Sequence, residues 1–152
     1  MAVQTDRIER DILISAPVER VWELISDGEH VGRWFADAGA QIDLQPGGAV
    51  ALTWSSNGTV RGRVEAVEPP RRLAYRWLAA FNTEEEATPA NSTLIEFTLT
   101  EEGDGTRVAV VESGFDALEM EQEKRSAMFA DHIGGWKAEL GDLGEYATET
   151  TR

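Results

Sequence analysis

Few side chains in this sequence are of the types that perform acid–base, nucleophilic or metal chemistry. The chain has no cysteine, which rules out disulfides, thiolate metal sites and a cysteine nucleophile. Its two histidines, His30 and His132, are far apart, and no His-x-x-x-His spacing is present, so we expect no metal site. The sequence also lacks the G-x-S-x-G nucleophile motif and a P-loop. It therefore assigns no catalytic residue and no cofactor.

Glu112 has the most informative position of the polar residues. It shares strand parity with Val108 and Val110, so its side chain should point toward the apolar face of a strand. A carboxylate in an apolar interior is costly unless it is paired or protonated. Glu112 could be partly wet at the end of the sheet or paired with an arginine; alternatively, it is the polar anchor or acid–base group of a ligand cavity. His132 could meet it, although a surface histidine is the simpler interpretation.

Aromatic side chains recur on the face of the predicted strands and helix that should point inward. Most single aromatic residues in such positions are ordinary core. Together, large flat side chains on a curved sheet rarely fill the space completely, and pockets in such places are mainly apolar with a few polar groups. We therefore expect a ligand-binding pocket, with a filled core as the alternative, and the predicted ligand-binding residues are Trp54, Tyr75, Trp77, Phe97, Glu112, Phe129, His132 and Trp136.

A long C-terminal helix is needed to position three of these eight residues. Apolar residues recur at i, i+4, i+7, i+11 and i+14 between Phe129 and Leu143, which is the period of an amphipathic helix. The pattern extends back to about Leu118 and predicts a helix of roughly 25–30 residues. Gly134 and Gly135 interrupt it at a cost of about 0.5–1 kcal/mol each. They indicate either close approach of a neighbouring element or room for a ligand beside Trp136.

The residues before this helix are mostly of strand type. A first strand at 8–14 is followed by two short helices, which begin at Val18 and at Asp27. The second helix ends near Trp34-Phe35, and this pair is either an anchor in the core or a lid over a cavity. Period-two alternation then predicts strands at 40–45, 50–54, 59–67, 73–77, 93–100 and 106–113. Short turns, among them a two-residue hairpin at Asn57-Gly58, make these an antiparallel meander. Residues 79–92 lack a period, and 82–92 should be the most mobile internal segment.

The whole chain has the composition of one globular domain, residues 1–152. Its net charge of −14 disfavours binding to nucleic acid and to anionic membrane surfaces. No apolar run is long enough to span a membrane, and the N-terminus does not have the composition of a signal peptide. We expect a cytoplasmic protein. The oligomeric state cannot be read from the sequence.

Six motifs follow one another along almost the whole chain. They are Ala16–Trp22, Glu29–Phe35, Pro46–Gly48, Glu68–Leu73, Ser113–Phe115, and Gly135-Trp136 followed by Leu140, Leu143 and Tyr146. This ordered set resembles the helix-grip superfamily of START and Bet v 1 proteins, and within it the bacterial homologues of the heat-shock-protein-90 ATPase activator. The resemblance implies an α+β helix-grip fold, with a curved antiparallel sheet of about six to seven strands around the C-terminal helix, and a cavity often used for apolar ligands.

Three functions are compatible with these features. The one we favour is binding of a small apolar or aromatic ligand between sheet and helix, without a cofactor. The second is a protein-interaction module of the co-chaperone type. The third is a cofactor-independent cyclase or hydrolase that uses Glu112 and a water molecule. The absence of a catalytic motif favours a role other than catalysis.

Overall fold

The computed structural model of the protein describes residues 7–150. The elements follow one another as strand, two helices, six strands and one long helix. They are β1 (Arg7–Ile14), α1 (Val18–Ser26), α2 (Gly28–Trp34), β2 (Ala40–Ile42), β3 (Ala49–Trp54), β4 (Gly58–Glu68), β5 (Arg72–Leu78), β6 (Ser92–Glu102), β7 (Gly105–Ser113) and α3 (Gln122–Thr150).

The seven strands form one antiparallel sheet in the order β1-β7-β6-β5-β4-β3-β2. Strands β2 to β7 are a meander in which each strand pairs with the next one in sequence. Strand β1 closes the row beside β7, because α1 and α2 carry the chain across to the opposite edge. The predicted α+β helix-grip fold is therefore confirmed, including the two short helices after the first strand.

Helix α3 packs on the sheet with the predicted apolar stripe. Trp136, Leu140 and Leu143 are buried, and Phe129 and Ile133 pack against the core while remaining partly exposed. The helix begins at Gln122 rather than near Leu118. A short 3₁₀ turn, Phe115–Ala117, and an extended backbone at Leu118 precede it and delay its start.

The close approach of elements occurs at other glycines than Gly134 and Gly135. Both of those lie on the exposed side of α3, and a β-carbon built on either would meet no atom of the described residues within 4 Å. At Gly144 a β-carbon would lie 3.0 Å from Cδ1 of Ile12, so α3 packs closely on β1 at this glycine. Gly62 on β4 also has a close neighbour, since a β-carbon there would overlap the carbonyl of Arg76 on β5.

Two turns differ from the sequence-based prediction. The β3–β4 hairpin has a three-residue loop, because Trp54 pairs with Gly58, which has a φ of 112° and so favours glycine. The predicted two-residue turn at Asn57-Gly58 was wrong, because the loop consists of residues 55–57 and Gly58 is already the first residue of β4. Strand β2 is shorter than the predicted 40–45 and ends at Ile42. Asp43 and Gln45 already form a turn there, since the amide of Gln45 donates to the carbonyl of Asp43 at 2.8 Å.

The segment between β5 and β6 has no regular secondary structure, as expected. It is nevertheless attached to the body of the protein at several points. Ala87 is buried, the amide of Asn82 donates to the carbonyl of Thr59 on β4 at 2.7 Å, and the amide of Glu119 donates to the carbonyl of Ala90 at 2.8 Å. The mobility of residues 82–92 stays a prediction. In the part of the chain that is described, no helix is long and apolar enough to cross a membrane.

Candidate functional site

Glu112 lies on β7 with its side chain fully buried between the sheet and α3. Four side chains surround its carboxyl group. Oε1 is 2.8 Å from Nε1 of Trp136, and Oε2 is 3.1 Å from Nε1 of Trp77 and 2.6 Å from Oγ1 of Thr93. Nδ1 of His132 lies 2.8 and 2.9 Å from the two oxygens. The meeting of Glu112 with His132, which the sequence left open, is present in the structure.

The strand register explains why these groups meet. Thr93 on β6 pairs directly with Trp77 on β5, and Glu112 on β7 pairs with Ile95, two residues further along β6 on the same face. The period of α3 places His132 and Trp136 one turn apart above them. Three strands and one helix thus bring their polar atoms to a single point in the core.

The hydrogen bonds offset the cost of burying the carboxyl group. An indole N–H can only donate, so the two tryptophans require acceptor oxygens. The hydroxyl of Thr93 accepts from Nε1 of Trp77 at 2.8 Å and is therefore free to donate its own hydrogen to Glu112. The surroundings of the carboxyl group are otherwise apolar. Their effect is evident at nearby Tyr75, whose pKa is raised by its burial and, to a smaller extent, by the negative charge of Glu112.

Phe35, the residue after α2, is the centre of an aromatic cluster. Its ring lies 5.4 Å from that of Trp136 and 5.9 Å from that of Trp77, both nearly parallel to it, and 5.2 Å from the perpendicular ring of Trp54. The Trp77 and Trp136 rings are themselves stacked at 5.7 Å. Such pairs add about 0.5–1.5 kcal/mol each beyond the area they bury. Trp34-Phe35 is therefore a core anchor, the first of the two alternatives left open by the sequence.

A half-open cavity of about 230 Å³ lies above this cluster, between α3 and strands β3 to β5. Large aromatic side chains are the most numerous group in its walls. Met128, Gly135 and Val60 add apolar surface, and Asn57, Asp131, His132 and Glu139 contribute polar groups. The aromatic lining residues are Phe35, Trp54, Trp77, Phe81 and Trp136.

Four of the eight predicted site residues line this cavity: Trp54, Trp77, His132 and Trp136. Glu112 lies beneath it and does not reach its surface, since its exposed fraction is 0%. The other three were expected to line the cavity and do not, because they lie farther along their elements. Tyr75 and Phe97 pack on each other deeper in the sheet, and Phe129 contacts Phe115 beyond His132.

Sequence reasoning missed other residues of the cavity, and Phe35, Phe81 and Glu139 are the most informative of them. Phe35 was considered as a possible lid, but its place over the sheet depends on how α2 packs. Phe81 lies in the irregular segment after β5, where no period indicates direction. Glu139 lies three residues after Trp136, and the helical period alone could have placed it beside the cavity.

Glu139 is the least satisfied polar side chain of the site. Its Oε2 is buried and has no hydrogen-bond partner among the described residues. Burial, together with the smaller effects of the negative charges of Asp142 and Asp37, raises its pKa to about 7. Glu139 also borders a second, more open cavity of about 390 Å³, whose other acidic residues are Asp37, Asp142, Glu145 and Glu149. Between residues 7 and 150 no three acidic or histidine side chains are grouped closely enough to hold a metal ion.

Comparison with known proteins gives a family and a set of similar folds. The model of the family described as Activator of Hsp90 ATPase homolog 1-like protein matches residues 15–148. No curated protein sequence matches significantly.

Three solved structures illustrate the similarity. Protein MLL2253 from Mesorhizobium loti has 21% identity and a TM-score of 0.77, with 95% of this chain and 98% of the other covered. CalU16 from Micromonospora echinospora has 27% identity and a TM-score of 0.68, with coverage of 97% and 81%. The Aha1 dimer from Colwellia psychrerythraea has 18% identity and a TM-score of 0.70, with coverage of 91% and 93%.

Proposed function

The chain belongs to the family of Activator of Hsp90 ATPase homolog 1-like proteins, and from this premise we propose that it binds a small, neutral, aromatic or apolar molecule. The site is the cavity between α3 and strands β3 to β5. The observation that carries the proposal is a half-open cavity with five aromatic walls directly above a fully hydrogen-bonded, buried carboxylate.

The size of the cavity limits the ligand. An apolar protein cavity of about 150 Å³ is sufficient for benzene. The cavity here measures about 230 Å³, so it accommodates one substituted ring or two fused rings. Flat rings suit it, because Trp77, Phe35 and Trp136 lie nearly parallel to one another and present a ligand with ring faces and edges.

Charge favours a neutral ligand over an anionic one. The chain has a net charge of −14, and two carboxylates, Asp131 and Glu139, border the cavity. An anion would approach against this field and would lie near acidic side chains at the rim of the cavity.

The exposed surface gives less support to a protein-interaction module of the kind suggested by the family's name. Among residues 7–150, three large apolar side chains are exposed: Leu13, Leu44 and Phe81. Leu13 is on β1 and Leu44 follows β2, and these strands are the opposite edges of the sheet. Phe81 borders the cavity. Isolated apolar residues of this kind are ordinary on a protein surface and do not form a docking patch.

An enzyme that uses Glu112 and a water molecule is also less well supported. Glu112 does not line the cavity, and each of its oxygens already accepts at least two hydrogen bonds. It could act on a ligand only through His132, which separates it from the cavity.

Binding can be tested with 1-aminonaphthalene, a neutral two-ring probe whose emission shifts to shorter wavelength in apolar surroundings. Gly134 and Gly135 offer a matched pair of variants, since both are exposed on α3 with free space around a β-carbon, and only Gly135 lines the cavity. Both Gly→Leu changes should preserve or improve helix stability.

We expect saturable binding to the wild type and to Gly134→Leu, and loss of binding, about tenfold or more, in Gly135→Leu with an unchanged circular dichroism spectrum. An equal loss of probe affinity in both variants would mean that the probe binds outside this cavity. The absence of saturable binding to the wild type would overturn the proposed function.

A further inference from the structure

We infer that His132, positioned by Glu112, presents its Nε2 to the cavity as a hydrogen-bond acceptor, so that the site selects an aromatic ligand that carries a hydroxyl group, a phenol or an enol. This inference rests on the proposed function and specifies its ligand class. Glu112 acts here as a positioning residue, because it reaches a ligand only through the histidine ring.

The hydrogen-bond pattern around Glu112 determines which nitrogen of His132 carries the proton. The indoles of Trp77 and Trp136 can only donate, so both carboxyl oxygens are acceptors. The Thr93 hydroxyl accepts from Trp77 and donates to Glu112. The remaining contact, 2.8 Å from Oε1, fits an Nδ1–H that donates to the carboxylate. A neutral imidazole carries one proton, so its Nε2 then has a free lone pair.

The position of the ring directs that lone pair to the cavity. Nδ1 faces a carboxyl group with no exposed surface, whereas 22% of the His132 side chain is exposed and the residue lines the cavity. The ring is held from two sides by Trp77 and Phe115, each 5.9 Å away and steeply inclined to it. Nε2 forms no hydrogen bond with any residue of the described range 7–150.

A hydroxyl group is the simplest ligand feature that matches this acceptor. The histidine borders a cavity whose walls are otherwise mainly aromatic, so one ring substituent that donates a hydrogen bond would reach it while the ring remains among the tryptophans. A ligand that covers this acceptor without donating to it leaves the acceptor unpaired, and the resulting loss of affinity is how polar groups in apolar pockets confer selectivity.

The test compares 4-methylphenol with p-xylene, which has a methyl group in place of the hydroxyl, as competitors of bound 1-aminonaphthalene at pH 8. The two compounds differ in hydrophobicity, so the decisive quantity is how their affinity ratio changes between proteins. The variant His132→Phe retains a ring of similar shape and removes Nε2. We expect the preference for the phenol to fall by about 3–10-fold in this variant, the worth of one net hydrogen bond.

An affinity ratio that changes by less than about twofold, with both compounds still bound, would overturn the inference and leave the proposed function intact. If neither compound displaces the bound probe from the wild type, the inference fails, and if the probe itself does not bind, the proposed function fails with it. Nitrogen-15 NMR of the wild-type His132 gives an independent readout that does not depend on a foldable variant. It should show a protonated Nδ1 and an Nε2 resonance that shifts with 4-methylphenol and much less with p-xylene. A proton on Nε2 alone would contradict the inference.

Discussion

Replacing Glu112 with glutamine tests the most unusual feature of the core. The change preserves shape and removes one of two acceptor oxygens. The remaining oxygen can serve the Trp136 and His132 side of the site or the Trp77 and Thr93 side, and the new NH₂ group faces the other.

The expected cost follows from these contacts. The Thr93 hydroxyl can rotate and the indole of Trp77 keeps its bond to it, so the unavoidable loss is about one buried donor, worth about 1–3 kcal/mol. The bonds that remain are no longer charge-assisted and lose about half their strength. Together the change should lower the free energy of unfolding by about 2–4 kcal/mol.

Urea unfolding followed by far-ultraviolet circular dichroism measures this change without depending on tryptophan fluorescence. Glu101→Gln is the matched control, because Glu101 lies on β6 with 59% of its side chain exposed and pairs with Arg71 at 2.7 Å. Exposed pairs contribute about 0–1 kcal/mol. If Glu112→Gln costs no more than this control, the carboxylate is not the common acceptor of four donors, and the reasoning about the site is refuted.

Three further predictions concern the helix, the rim of the cavity and the loop after β5. Trp136→Ala should lower the free energy of unfolding by about 3–5 kcal/mol in the same assay, since Trp136 is only 3% exposed. A decrease of less than about 1 kcal/mol would mean that the side chain contributes little to the core. Because the pKa of Glu139 is raised, the folded state loses stability as the pH rises from 4.5 to about 7. Glu139→Gln should therefore raise the free energy of unfolding by about 1–2 kcal/mol at pH 8, a value reduced for the partial exposure of the side chain, and leave it unchanged at pH 4. Equal effects at the two pH values would contradict this prediction. Amide exchange should be fastest, among internal segments, at residues 82–92, and uniformly slow exchange there would refute their mobility.

The sequence predicted the elements well because each has a clear period. The stripe from Phe129 to Leu143 gave the correct face of α3, and alternation on β7 placed Glu112 inside. Periodicity could not show that Glu112 would be satisfied by two indoles rather than by an arginine. Those contacts depend on the register of β5, β6 and β7 and on the height of α3 above them, and both are tertiary quantities.

The lining of the cavity was predicted in part for the same reason. Parity along a strand tells which face a residue occupies, and it does not tell how far along the strand the cavity lies. Tyr75 and Trp77 share a face of β5, yet only Trp77 borders the cavity. Phe81 lies outside any periodic segment. The positions of Gly134 and Gly135 show the converse: glycines in a helix suggested either close packing or room for a ligand, and the structure places both on the exposed side of the helix, with only Gly135 in the wall of the cavity.

The indole N–H resonances of the five tryptophans give the most direct test of ligand binding in the cavity. Trp54, Trp77 and Trp136 line it, whereas Trp22 on α1 does not and is an internal reference. Titration of nitrogen-15-labelled protein with 4-methylphenol should shift the three cavity resonances along one saturable curve and leave that of Trp22 unchanged. If all five resonances shift together without saturation, or if the cavity resonances do not move, the cavity is not a binding site and the account is wrong.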